Sequence, residues 1–141
     1  MLPVHIFTGY QKEDFIMEII HTDKAPAAVG PYSQAIKANG VLYASGQVGF
    51  DPATGLLVGT TIAEQAEQVM KNIGAVLAAS GLTYDDVVKT TCFITDMKEF
   101  ASFNEVYGRY FTGTKPARSC VEVSALPKGA LCEVEIVAVC K

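Results

Sequence analysis

Apolar residues recur along this chain with two periods, and the switches between them predict its elements. Ile62, Ala66, Val69, Met70, Ile73, Val76 and Leu77 fall on one stripe of helical period. Thr61-Ile62-Ala63-Glu64 has capping-box spacing at its start, and Ser80-Gly81 closes it, so the pattern predicts an amphipathic helix. Asp96-Met97-Lys98-Glu99 opens a second helix, with Phe100, Phe103, Val106, Tyr107, Tyr110 and Phe111 as its stripe. Between the two, Val87 to Ile94 reads as a strand. Further strand-like runs are Glu18 to His21, Ser33 to Ala38, Val41 to Ser45, the stretch around Pro116 to Val123, and a Val/Ile-rich run from Leu131 to Val139. Asn39-Gly40 joins two of these runs as a hairpin turn. Ala25 to Tyr32 cannot be helical across its prolines, and Asp51 to Gly55 reads as another turn.

The order is strand, hairpin, helix, strand, helix, strand, strand. Two helices with one apolar stripe each cover one face of one sheet, so the predicted fold class is α+β, a single domain with a mostly antiparallel mixed sheet of about six strands. The opposite sheet face would then be an exposed apolar patch, and an oligomer formed through it is expected. Residues 1–16 show no sustained period and read as an N-terminal leader, with the domain over 17–141. A length of 141 residues, half of them hydrophobic, suits one domain with a sizeable core.

Composition removes several classes of function. The formal net charge of -4, with 11 Lys and Arg spread along the chain, supplies no basic surface to neutralise phosphates, so nucleic acid is a poor partner. No apolar run approaches the length that spans a bilayer, and residues 1–16 lack the basic start and continuous apolar core of a signal peptide. Cys92, Cys120, Cys132 and Cys140 show no metal-ligand spacing and read as small apolar residues of a reducing compartment. A cytoplasmic protein is expected.

Chemistry concentrates in Pro116-Ala117-Arg118-Ser119-Cys120-Val121-Glu122-Val123 and in Glu133, which sits inside the final apolar run. Strand alternation puts Arg118, Cys120 and Glu122 on one face, which places charge where a core strand should be. A charge there is costly unless it is paired or solvated. Taken alone, Arg118 is an edge-strand arginine paired to Glu122 or Glu133, or else an anion ligand. Glu133 is a solvated or paired strand residue or an acid/base group, and Glu135, pointing the same way, competes with it. Cys120 is a small buried residue before it is a nucleophile, because no motif places His5 or His21 as its base.

Several blocks stand in a telling order: Ala27-Ala28-Val29-Gly30-Pro31-Tyr32, Ala44-Ser45-Gly46-Gln47, Phe103-Asn104-Glu105-Val106-Tyr107, the Arg118 segment, Leu126-Pro127 and Glu133-Val134-Glu135. In that order and spacing, from about Glu18 to the end, the chain resembles the reactive-intermediate deaminases, the RidA/YjgF family. The resemblance implies a chorismate-mutase-like (YjgF-like) fold and a homotrimer with active sites between subunits. It also implies hydrolysis of 2-enamino and 2-imino acids to 2-keto acids and ammonia, with no metal or organic cofactor. By position, Arg118 resembles the substrate-carboxylate ligand, Glu133 the catalytic acid/base and Cys120 a residue beside the attacking water. Tyr32, Ser45, Gly46 and Asn104 match positions that line or support the cleft, although structural roles for these four stay open. The leader at 1–16 has no counterpart in the family pattern.

A 2-imino acid asks for an anion clamp and a proton handler. A planar guanidinium binds a carboxylate through two parallel bonds, and one carboxylate can take a proton from water and return it to the departing nitrogen. Burial would raise the Glu133 pKa while Arg118 nearby would lower it. Two rivals remain: an endoribonuclease or translation inhibitor, and a non-catalytic module that binds 2-keto acids.

Overall fold

The structure, a computed structural model, describes residues 17–141, so the expected leader lies outside the described residues. Six strands form one sheet in the order β1-β2-β3-β6-β4-β5. They are β1 (Met17–Ile20), β2 (Ala35–Ala38), β3 (Val41–Val48), β4 (Val87–Ile94), β5 (Ala117–Glu122) and β6 (Cys132–Val139). Only β4 and β5 are parallel; the other neighbours are antiparallel. The long helix α1 (Ile62–Ala79) and the shorter α2 (Phe100–Gly108) pack on the same face, as the apolar periods require.

Local signals explain the boundaries. Thr61 caps α1 through a complete capping box with Glu64. Asn39 and Gly40 both take positive φ, at 49° and 76°, which suits the tight turn between β2 and β3. Asp96 does open the second helical segment, but as a short 3-10 turn over Met97–Glu99 that leads into α2. Tyr110 and Phe111 lie beyond the end of α2 yet still pack on the core. Ser33 and Gln34 fall outside β2. Buried Gln34 instead holds the preceding loop, accepting from the Thr22 N–H at 2.8 Å and donating to the Pro26 carbonyl at 2.8 Å.

The core lies between the helices and the even-numbered side of β6, where Cys132, Val134, Ile136 and Ala138 are buried. The odd-numbered side carries Glu133, Glu135, Val137 and Val139 onto a face that no helix covers. Apolar side chains stand exposed there: Ile19 at 50%, Tyr43 at 52%, Val121 at 43% and Val139 at 45%. The sequence pattern expected charge inside a core strand. The structure corrects this, because β5 pairs only with β4 at the edge of the sheet and exposes or half-exposes all of its residues. Arg118 therefore reaches solvent without crossing the core. No helix among the described residues is long and apolar enough to cross a membrane.

Candidate active site

Two clefts hold the residues singled out by the sequence except Cys120, which lines neither, and each is built by a different local device. The first lies beside β5, where Arg118 and Cys120 turn toward the helices and Ala117, Ser119 and Val121 turn away. Arg118 Nη1 donates to Asn104 Oδ1 at 2.6 Å. Its guanidinium also sits over the Tyr107 ring at 4.8 Å and the Phe100 ring at 5.4 Å from the centroids. Such contacts contribute about 0.5 to 2 kcal/mol each and fix a side chain that is otherwise costly to order. Tyr107 is itself held, since its hydroxyl shares a 2.8 Å hydrogen bond with buried Thr90. A cleft of about 410 Å³ opens here, lined by Asn104, Tyr107, Phe111, Lys115 and Arg118 among others. Its charged lining is wholly cationic.

No carboxylate pairs with Arg118 among the described residues. Glu122 shares its strand face but accepts from the Met97 N–H at 2.7 Å and so anchors the approach to α2. The guanidinium thus keeps donors for an external anion. Cys120 is half-buried; burial pushes its thiol upward and Arg118 pulls against that shift. The net rise keeps the thiol protonated at neutral pH, which weakens it as a nucleophile. Cys92 and Cys132 are buried thiols pushed up to about 12 by burial, and all four cysteines are free.

The second cleft, about 550 Å³, sits on the uncovered face and gathers Tyr32, Ser45, Gly46, Glu133 and Glu135. Its device is a β-bulge. Ala44 pairs with Ile136 and Gln47 with Val134, so Ser45 and Gly46 together oppose the single residue Glu135. The bulge tips Gly46 against the Glu133 side chain: a Cβ on Gly46 would stand 2.1 Å from Glu133 Oε2. Glycine is therefore required if the carboxylate is to lie where it does. Ser45 is tied down, its N–H donating to the Gln34 carbonyl and its hydroxyl to the Ser33 carbonyl at 2.6 Å. The hydroxyl oxygen can still accept. Tyr32 stands half out of the surface at the rim.

Glu133 is half-buried, and burial raises its carboxyl above the ordinary carboxylate range, with Glu135 adding to the rise. The expected lowering by Arg118 does not occur within one chain. Arg118 turns toward α2, whereas Glu133 lies on the opposite face of the sheet. The residues thus separate into Arg118, Asn104 and Cys120 on one side and Tyr32, Ser45, Gly46 and Glu133 on the other.

Sequence reasoning missed Phe100, Tyr107 and Thr90 as supports of Arg118, because a helical aromatic stripe reads only as core. It also missed Lys115, which lies outside every regular element, and Gln34, whose burial no period announces. Among the described residues no group of three or more His, Cys, Asp or Glu is arranged to hold a metal ion.

Together, these features define a small α+β domain, a mixed sheet with two helices on one face, that carries a cleft with a guanidinium unpaired among the described residues on one side and a cleft with a raised carboxyl on the other. The model of the family described as Endoribonuclease L-PSP matches residues 22–140, and the chain belongs to that family, the RidA/YjgF proteins. The 2-iminobutanoate/2-iminopropanoate deaminase of Mus musculus is 48% identical over 124 residues, covering 88% of this chain and 92% of that protein. Protein DfrA of Myxococcus xanthus is 54% identical over 122 residues, with coverages of 85% and 93%. Among solved structures, the Rid-family protein YyfA of Yersinia pestis, described as of unknown function, superposes with a TM-score of 0.86 at 55% identity, covering 88% of this chain and 99% of that one.

Proposed function

We propose that the protein hydrolyses reactive 2-imino and 2-enamino acids to 2-keto acids and ammonia, in sites completed by a second copy of the chain. The observation that carries this reading is the division of chemistry between the two faces. The Arg118 cleft supplies an anion ligand without a carboxylate, and the bulge cleft supplies a proton-handling carboxylate without an arginine in its lining. Relatives of nearly half identity bear the name of this deaminase activity. The uncovered apolar face gives the copies a reason to associate, and a homotrimer closed around that face would set the β5 edge of one copy beside the β3 bulge of the next.

In such a site the substrate carboxylate takes two donors of Arg118, while Asn104 holds the guanidinium from behind. The imine carbon then faces Glu133 of the neighbouring copy. Glu133 accepts a proton from water as the water oxygen bonds to C2, and the C=N electron pair moves onto nitrogen, which takes that proton back from Glu133 to give the carbinolamine. Glu133 then takes the hydroxyl proton as the C–O bond becomes the keto C=O, and the C–N bond breaks with its electron pair leaving on nitrogen, which receives that proton from Glu133 and departs as ammonia. A 2-enamino acid is first protonated at C3 as its nitrogen gives up a proton, which converts it to the imine. A carboxyl raised by burial suits this double duty, because proton exchange is most effective when the group's pKa approaches the working pH. Cys120 is a neighbour of the reacting water with a neutral thiol. Four free cysteines suit a reducing, cytoplasmic compartment.

The test generates an imine in place with an amino-acid oxidase and follows its disappearance. Wild-type protein should accelerate the loss, and Arg118→Ala and Glu133→Gln should each lower the rate by about a hundredfold or more. No acceleration by wild type contradicts the reading. RNA cleavage, which the family description attaches to relatives, is disfavoured by the net charge of -4. Salt-sensitive cleavage that survives Arg118→Ala would favour it instead.

A further inference from the structure

We infer that Lys115 is a specificity-determining residue that extends this site to 2-imino acids bearing a second carboxylate. The inference rests on the deaminase reading above and names a substrate class within it. Arg118 and Lys115 are the charged residues lining the first cleft, and no acid faces them there. Arg118 is committed to one anionic group by its fixed fork on Asn104 and its aromatic seat. A neutral side chain on the substrate would leave the Lys115 ammonium without use, whereas a distal carboxylate would meet it.

The geometry permits this. Lys115 and Arg118 line the same cleft although they are three positions apart, because Lys115 lies before β5 and is free of the alternation that governs Arg118. Its ammonium now makes one long contact, 3.4 Å, to the Phe111 carbonyl, and the residue is exposed, so it can swing into the cleft at little cost. The same cleft is also lined by Tyr107 and Phe111, which give a substrate stem apolar surface to pack against. In a completed site, Glu133 and Glu135 of the neighbouring copy outnumber Lys128 in their cleft and would disfavour a distal carboxylate on that side. That repulsion orients the substrate with both carboxylates toward the cations and C2 toward Glu133.

The experiment compares wild type with Lys115→Met, which keeps the apolar stem, and Lys115→Glu. One readout is the ratio of kcat/KM for 2-iminoglutarate to that for 2-iminobutanoate, each formed by an oxidase. The ratio should fall at least about fivefold in Lys115→Met and further in Lys115→Glu. A second readout needs no catalysis: calorimetric affinity for 2-oxoglutarate relative to 2-oxobutanoate should fall in the same order and should weaken with salt in wild type. Ratios unchanged in both variants overturn the inference. Failure of wild type to hasten any imine would sink the deaminase reading, while the keto-acid affinities would still decide the role of Lys115.

Discussion

The two faces of the sheet solve opposite problems with similar materials. On the helix face, Arg118 is a cation held by an amide and two aromatic rings, and every group that touches it directly comes from α2. On the open face, Glu133 is a titratable acid placed by a missing side chain, since Gly46 leaves the space that the carboxylate fills. One side chain is held because neighbours grip it, the other lies where it does because the backbone of a bulge makes room. The difference teaches that, in the proposed mechanism, recognition and proton transfer have independent mechanical origins, so each can be damaged without disturbing the other.

The sharpest way to separate them is Gly46→Ala. The new Cβ must displace the flexible end of Glu133 rather than backbone, so turnover should fall by about a hundredfold while thermal stability changes little. Equal losses of stability and activity would mean that the bulge, not the carboxylate, was disturbed. On the other face, Tyr107→Phe strips a hydroxyl from buried Thr90 and should cost about 1 to 2 kcal/mol of stability. Its kinetic effect should be a rise in KM of several-fold with little change in kcat, because the ring still seats Arg118 but less firmly. An unchanged KM would detach Tyr107 from substrate recognition.

The smallest expected effect is on pH dependence. Burial and Glu135 raise the Glu133 carboxyl, so between the ordinary carboxylate value and the raised one the folded chain holds a proton that the unfolded chain has lost. Stability therefore falls as pH rises through that window, and Glu133→Gln should remove that fall. As a base, Glu133 must be deprotonated, so activity should decline as pH drops through the same raised value. An identical acid limb in residual Glu133→Gln activity would assign that limb to another group.

Much of the fold was legible because it is carried by local signals. Helical stripes, a capping box and Asn39-Gly40 located α1, α2 and the hairpin before any tertiary contact was known. The face alternation of Arg118, Cys120 and Glu122 also held. What alternation cannot reveal is strand order. Whether β5 is central or an edge depends on long-range pairing with β4, and whether Arg118 and Glu133 share a face depends on the register of both strands through β4. Hence the pairing of Arg118 with Glu122 or Glu133, one of the two readings open from the strand pattern alone, is not found among the described residues. The bulge was equally hidden, because an extra residue at Ser45-Gly46 leaves no mark except a glycine in a strand.

The central claim is that a working site takes one half from each of two chains, and mixing inactive variants tests it directly. Arg118→Ala keeps its bulge cleft intact and Glu133→Gln keeps its arginine cleft intact. If each site joins the two clefts from different copies, unfolding and refolding the variants together in equal amounts should restore about a quarter of wild-type activity, the share of interfaces that pair two intact halves. If mixed assemblies form, as mass measurement of differently labelled chains can establish, and activity stays at the level of the separate variants, the composite site is contradicted.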